Sequence, residues 1–504
     1  MKNQRKIGVL LSYIVIILNM IVGIVYTPFL IRKLGQSEYG LYSIIYNVIS
    51  TLTIMDMGFG NAIIVYTAKY LNQGNKEKQE KLHGMFFLIY CFIGVVAIIF
   101  GMGLYFNTDL LFGRTMDSIE LFKAKKMIII LTINLAITFP FSIFGNILIA
   151  YERFIANKII KIVQILLQPI CMIPLLILGY KSIAMVLVLT IVNIICLILN
   201  TITCYSKLKI KLVFKKIDLL LFKEIFIYSF FIFLNQLVDK INWCFDNFIL
   251  GAVSGTVATA IYAVAGQLNN MYRNFSTAIS GVMLSKIAKM EDDNSDSKTF
   301  TEVFIKTGRI QYLLMALIIS GFVLFGKQFI LFWAGEGYEE AYYIACILMI
   351  PITIPLIQNV GLSILQVKNM HKFRTIVFLF IAIINVSISI PLSAKYNGIG
   401  AAIGTSMSLI IGQGIILNIY YHRKVGINII DFWKNIIQIS KPMIIVISFG
   451  IVLDILINDF NIFVWGAKIV AYALLYIIVV WKYSMNTYEQ DLFKKPLKKL
   501  FSRS

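Results

Sequence analysis

Acidic residues are scarce in this chain, its histidines and cysteines are few and scattered, and no long polar stretch interrupts its apolar runs. There are 25 Asp and Glu against 46 Lys and Arg, and charged residues make up 14% of the whole. With 59% hydrophobic residues and a mean hydropathy of +0.83, so little charge excludes an ordinary soluble protein. Cys91, Cys171, Cys196, Cys204, Cys244 and Cys346 show no CxxC and no paired spacing, so no disulfide framework or cysteine metal site follows. His83, His371 and His422 are expected in connections, far from one another and from any cysteine, which argues against zinc and against a Ser-His or Cys-His nucleophile. No GxxxxGK[ST] occurs, and the connections are short, the largest expected one, around 107–126, being about twenty residues. Neither an embedded ATPase nor an external catalytic domain has room.

What is present is a succession of apolar runs long enough to span a bilayer, roughly 17–25 residues each. Counting them gives about fourteen helices, centred near Ile21, Thr51, Val96, Ala136, Leu166, Ile194, Leu237, Leu268, Ala316, Pro351, Ile384, Ser408, Val446 and Tyr472. The chain therefore reads as an all-α polytopic membrane protein. Its first run, 8–31, follows a basic start (Lys2, Arg5, Lys6) and is longer than a signal-peptide core, so it is expected to be a retained helix. The basic residues sit mostly in alternate connections: Lys76, Lys78 and Lys81, Arg153 and Lys158, Lys207 to Lys216, Lys286 and Lys289, Lys368 to Arg374, and the tail from Lys494. That bias is a topology signal placing both termini in the cytoplasm, not a nucleic-acid footprint.

The chain also echoes itself. Leu34-Gly35 recurs as Leu250-Gly251, Pro140 with Gly145 as Pro355 with Gly361, and Pro174 as Pro391, all at offsets close to 216 residues. Two six-helix lobes are expected, 1–206 and 207–424, with two extra helices and a basic tail in 425–504. An even number of helices per lobe keeps the same orientation, so the lobes should be related by a pseudo-twofold along the membrane normal, with substrate between them.

Two segments carry polar faces inside spans. Tyr262, Gly266, Asn269, Arg273, Ser276, Thr277 and Ser280 share one helical face, with Gln267 and Asn270 beside it. The preceding span places Asn235, Asp239, Asn242 and Asp246 on one face, next to Gln236, Lys240 and Trp243. An arginine at mid-membrane costs about 2.5–3.5 kcal/mol on the most lenient insertion scale, so Arg273 should face a hydrated interior.

The segment Leu34-Gly35-Gln36-Ser37-Glu38-Tyr39-Gly40-Leu41-Tyr42, followed by Asp56-Met57-Gly58-Phe59-Gly60-Asn61-Ala62 and Ala68-Lys69-Tyr70, resembles the start of bacterial polysaccharide flippases. These are the Wzx-type members of the multidrug/oligosaccharidyl-lipid/polysaccharide exporter superfamily. The resemblance extends to the chain's length, helix count and repeat. One departure is Tyr66, where family members often carry a basic residue. The resemblance implies two lobes, alternating access, and transfer of undecaprenyl-diphosphate-linked oligosaccharide across the bacterial cytoplasmic membrane. The partners it implies are that lipid, the bilayer, and glycosyltransferases and a polymerase of the same pathway.

On that footing Arg273, joined by Lys240, is expected to hold diphosphate, because a guanidinium offers paired donors and keeps its charge when desolvated. The alternative is a structural arginine neutralised by Asp239 or Asp246. Asn269, Asn270 and Tyr262 would line the same cavity. Asp239, Asp246 and Asp56 are candidates for a coupling proton or sodium ion, or for internal pairs and hydrogen-bond acceptors. Lys161, with Gln164 and Gln168, gives the fifth helix a polar face that lines the first lobe or, for the lysine, snorkels to the membrane surface. No catalytic residue, metal or resident cofactor is expected. The rival readings are a cation-coupled multidrug exporter of the same superfamily and, from another class, a membrane polysaccharide polymerase.

Overall fold

The computed structural model describes residues 2–214, 219–280, 296–368, 370–457 and 461–492, together with 287, 290 and 494. The side chains of Asn235, Asp239, Asn242, Trp243, Thr277 and Ser280 lie outside the described set, as do Lys286 and Lys289. Among the described residues every regular element is helical. In hydrocarbon a segment must satisfy its own backbone donors and acceptors, and a helix does so within one rod.

The first compact unit, Met1–Ala263, holds α1 (Lys2–Leu34), α2 (Gln36–Thr51), α3 (Phe59–Asn72), α4 (Lys76–Phe106), α5 (Thr108–Phe112), α6 (Ser118–Ala150), α7 (Phe154–Ile177), α8 (Ser182–Thr203), α9 (Leu219–Val253) and the start of α10 (Gly255–Ser280). The second, Val264–Ser504, holds the rest of α10, then α11 (Ser297–Trp333), α12 (Glu340–Ile357), α13 (Asn359–Val367), α14 (His371–Leu409), α15 (Ile429–Ser440), α16 (Met443–Leu456) and α17 (Ile462–Val479). Large apolar side chains stand on the outside, among them Phe463 at 83% exposed, Leu110 at 80% and Phe106 at 71%. A surface of that kind is soluble only in lipid.

Among the described residues ten helices are long and apolar enough to cross a membrane, or eleven if α15 and α16, bent by 42° at their break, form one span. One of the ten, Phe373–Val425, runs 53 residues, about 80 Å at 1.5 Å per residue and far more than one bilayer crossing. It breaks at Tyr396 and Asn397, where Asn397 takes a φ of 47°. The polar helices α9 and α10 are not among the ten. This criterion confirms the all-α multi-pass fold without reaching the expected fourteen.

Two expectations about connections are corrected. The stretch 107–126, expected as an outward loop, is largely helical, with α5 and the first turns of α6 inside it. Asp117 starts α6 with a capping box: its Oδ1 accepts from the Glu120 backbone N–H at 2.6 Å, and Glu120 Oε2 accepts from the Asp117 N–H at 3.3 Å. His83 is not in a connection either, but buried in the second turn of α4, in hydrogen-bond contact with Thr67 Oγ1 at 3.1 Å.

In the first unit α6 is central, packed by α3, α4 and α8, while α1 lies along α7. Its core joins Ile44, Ile45, Phe86, Tyr90, Phe144 and Ile147. The helix α9, which the repeat assigns to the second lobe, packs on α2 and α3. The second expected span is interrupted: α2 tightens into a 3₁₀ turn at Leu52–Asp56, Met57 and Gly58 turn left-handed (φ 50° and 76°), and α3 begins. Asp56 sits at this break. Its carboxylate accepts from the Tyr90 hydroxyl at 2.5 Å and from the backbone N–H groups of Gly58 and Gly60, donors that a new helix leaves without intrahelical partners.

Where α1 turns into α2, the close approach of backbones is set by glycine. A Cβ on Gly40 would stand 1.8 Å from the Thr256 carbonyl oxygen at the start of α10. Gly40→Ala should therefore force backbone apart and destabilise the protein by about 1–3 kcal/mol, as overpacking does. Gly103→Ala, with nothing within 4 Å of the added atom, should be neutral or mildly stabilising. Thermal melting of the two variants in detergent checks the contrast.

Candidate functional site

In the first unit α1, α2, α6, α7 and α8 border a cavity of about 480 Å³, within the size range of small-molecule sites. Its wall is wetter than the spans that build it. Tyr26 comes from α1, Tyr46 and Ser50 from α2, Asn134 and Thr138 from α6, Lys161, Gln164 and Gln168 from α7, and Asn193 from α8. The α7 residues lie at i, i+3 and i+7, one helical stripe, so the polar face read from the sequence is the one turned into the cavity. Lys161 Nζ donates to Gln164 Oε1 at 2.8 Å. Asn193 Nδ2 donates to Asn134 Oδ1 at 2.8 Å and to Thr138 Oγ1 at 2.7 Å. Tyr46 stacks on Tyr42 with ring centroids 5.5 Å apart.

Lys240, expected beside Arg273, is in the first unit, half-buried, and donates to the Ser50 backbone oxygen at 3.2 Å. That carbonyl belongs to the last turn of α2, where the change to 3₁₀ geometry leaves acceptors for a side chain to satisfy. Asp246 is buried and accepts from the Tyr262 hydroxyl at 2.5 Å. Tyr262 is buried as well, joins α10 to α9 through this bond and does not stand on an open stripe. The expected alternative partner of Arg273, Asp239, has its side chain outside the described residues. Tyr66, the departure from the flippase pattern, is buried and donates to Glu224 Oε1 at 3.0 Å.

The sequence reading missed the polar ring at the junction of α1 and α2. Buried Glu38 pairs with Lys123 and accepts from Ser182 Oγ at 2.5 Å. Glu120 Oε1 accepts from Ser37 Oγ at 2.5 Å and from Thr256 Oγ1 at 3.0 Å. Glu38 lies within the quoted motif, so its carboxylate in an apolar context was the available signal. The cavity amides Asn134 and Asn193 were missed as well; each is a lone amide in a long apolar run, and no face pattern exposes it.

In the second unit the stripe on α10 splits in two. Ser276 of the stripe is buried, as are Leu268 and Tyr272 outside it: the Tyr272 hydroxyl is 2.7 Å from Thr353 Oγ1, and Ser276 Oγ donates to the Leu356 oxygen at 2.8 Å. Gln311 and Asn359 complete that contact by donating to Ser276 Oγ at 3.3 and 3.1 Å. Asn269 is buried too, and among the described residues its Oδ1 has no hydrogen-bond partner. The open side is Gly266, Asn270 and Arg273: a Cβ on Gly266 would meet nothing within 4 Å, Asn270 is exposed, and half-buried Arg273 reaches Asn270 Oδ1 at 3.5 Å.

A second arginine of this unit shows what a structural one looks like. Arg309 is 7% exposed and gives a two-pronged pair to Glu489, at 2.6 Å from Nε and 3.0 Å from Nη2, with further bonds to the Ser484 oxygen and Asn435. Each of the three guanidinium nitrogens donates, which ties α11 to the segment after α17. Arg309→Ala leaves Glu489 buried and uncompensated and should cost about 3–5 kcal/mol. Arg273→Gln, on the open side of α10, should cost less than about 1 kcal/mol. Melting in detergent distinguishes them.

Comparison with known proteins agrees with this architecture. A Shigella flexneri protein named as a candidate O-antigen transporter is 22% identical over 406 residues, covering 78% of this chain and 92% of that protein. Among solved structures, the lipid II flippase MurJ in an inward closed conformation superposes with a TM-score of 0.73 at 18% identity, covering 97% of this chain and 99% of that one. A multidrug resistance MATE family transporter of the MOP superfamily, inward-facing, gives 0.59 at 14% identity, over 79% and 96%. Residues 6–291, more than half of the chain, match the polysaccharide biosynthesis protein family, and the chain is a multi-pass membrane protein belonging to it.

Proposed function

We propose that the chain is a flippase that moves undecaprenyl-diphosphate-linked oligosaccharide across the bacterial cytoplasmic membrane for surface polysaccharide, with both termini in the cytoplasm. The observation that carries the reading is the family match over 6–291, joined to a charged side chain, Arg273, standing on the open side of a polar membrane helix. Translocation needs no bond chemistry, so the protein is proposed to be a transporter and not an enzyme. A lipid-linked substrate poses one physical problem, the passage of its diphosphate and sugar through hydrocarbon. Polar groups held inside the protein stand in for water along the way.

In this reading Arg273 binds the diphosphate, assisted by Asn270, and Lys240 supplies further positive charge. Two lobes alternate in access while the lipid tail stays in the bilayer. Direction comes from the membrane potential or from a proton or sodium gradient, with Asp56, Asp239 or Asp246 as the coupling carboxylate. Moving one charge through 100 mV is worth about 2.3 kcal/mol, enough to bias each cycle. The MATE-like superposition keeps a cation-coupled drug exporter as the second reading. A cationic drug wants an acidic site, whereas the described open face of α10 presents an arginine.

Arg273→Ala should abolish surface polymer in a cell lacking the native gene while membrane levels of the protein stay normal, and Arg273→Lys should restore part of it. Full complementation by the alanine variant would remove Arg273 from the mechanism.

A further inference from the structure

The cavity of the first unit has a lining that the diphosphate role does not require. Once Asn193 has donated to Asn134 and Thr138, its own carbonyl oxygen and the Asn134 amide N–H₂ have no hydrogen-bond partner among the described residues, and both side chains line the wall. One offers an acceptor and the other a donor, the complement of a hydroxyl group. Gln164 accepts from Lys161 through Oε1, which leaves its N–H₂ to the cavity, and among the described residues Gln168 makes no side-chain hydrogen bond and the buried Tyr26 hydroxyl has no partner. The ring of Tyr46, braced by Tyr42, adds a flat apolar surface. Among the described residues no carboxylate lines the cavity, so the Lys161 ammonium there is held only by a neutral amide.

We propose that this cavity is a sugar-recognition subsite: the Asn134–Asn193 pair, Gln164 and Gln168 bind the hydroxyls of one pyranose ring against Tyr46, and Lys161 takes an adjoining anionic group. The proposal rests on the flippase reading for its source of sugar. The anion is a carboxylate on the ring or the carrier's diphosphate, two sources of one chemistry. Amide and hydroxyl groups left unspent in a confined wall discriminate strongly, because a ligand lacking the matching hydroxyl leaves them unpaired. An aqueous filling needs no such pairing of donor with acceptor, and it is the competing outcome.

The test uses the full-length protein in lipid nanodiscs and ligand-observed saturation-transfer NMR with glucose, N-acetylglucosamine and glucuronate, alongside binding of undecaprenyl diphosphate without sugar. Wild type should bind at least one of the sugars, and Asn134→Leu/Asn193→Leu should weaken that binding tenfold or more while undecaprenyl diphosphate binds as before. Lys161→Gln should weaken glucuronate alone if the anion is on the ring, or undecaprenyl diphosphate if it is the carrier's. Should the asparagine variant fail to fold by its melting curve, Gln164→Ala/Gln168→Ala replaces it with the same expectation. Binding of no sugar by wild type, or unchanged sugar binding by the folded variant, overturns the subsite. Failure of undecaprenyl diphosphate to bind wild type, with sugar binding intact, would instead count against the flippase reading.

Discussion

A charge or amide placed in hydrocarbon has to be solvated by the protein itself, and the arrangement of polar groups here follows from that single constraint. Asp56 takes Tyr90 and two backbone donors, Asp246 takes Tyr262, and Glu38 takes Lys123 and Ser182. Arg309 takes Glu489, and Lys468, buried on α17, takes Asp454 at 3.1 Å. Each of these groups meets at least one partner within its unit, as a buried charge must. A smaller set, Arg273 with Asn270 in one unit and Lys161 with the cavity amides in the other, faces open space. Buried polar pairs tie helices to one another, and the groups on open faces are the proposed contacts of a cargo.

Much of this was legible in the sequence because bilayers impose length and periodicity. Runs of apolar residues gave the helices, and the spacing of Lys161, Gln164 and Gln168 gave a cavity wall. The stripe on α10 was legible only as a stripe. Its residues at i and i+4 share a face by geometry, but whether that face meets a neighbour or open space depends on which helix lies beside it. Ser276 and Tyr262 are buried against neighbours, while Asn270 is exposed and Arg273 half-buried. The interruption of the second span at Met57 and Gly58 was also hidden, since a left-handed pair inside an apolar run changes the path of the chain without changing its hydropathy.

Half-buried amides are the weakest sequence signal. Asn134 and Asn193 lie 59 positions apart on different helices, and only folding reveals that one donates to the other. Glycine shows the same dependence: the Thr256 carbonyl lies against Gly40, where a Cβ would clash, whereas a Cβ on Gly103 would meet nothing within 4 Å. The family motif around Leu34 to Tyr42 has a physical content on this view. It supplies Gly40 for a close approach and Ser37 and Glu38 for the polar ring that joins the ends of α2, α6, α8 and α10.

The central claim is that this chain carries a lipid-linked saccharide across a bilayer. Its most direct measurement reconstitutes the purified full-length protein in proteoliposomes with fluorescent undecaprenyl-diphosphate-linked saccharide and follows the fraction reachable by an added glycosidase or quencher on each side. The account predicts protein-dependent movement of the labelled lipid between leaflets. Protein-dependent movement of a cationic dye such as ethidium, with the saccharide lipid left in place, would contradict it.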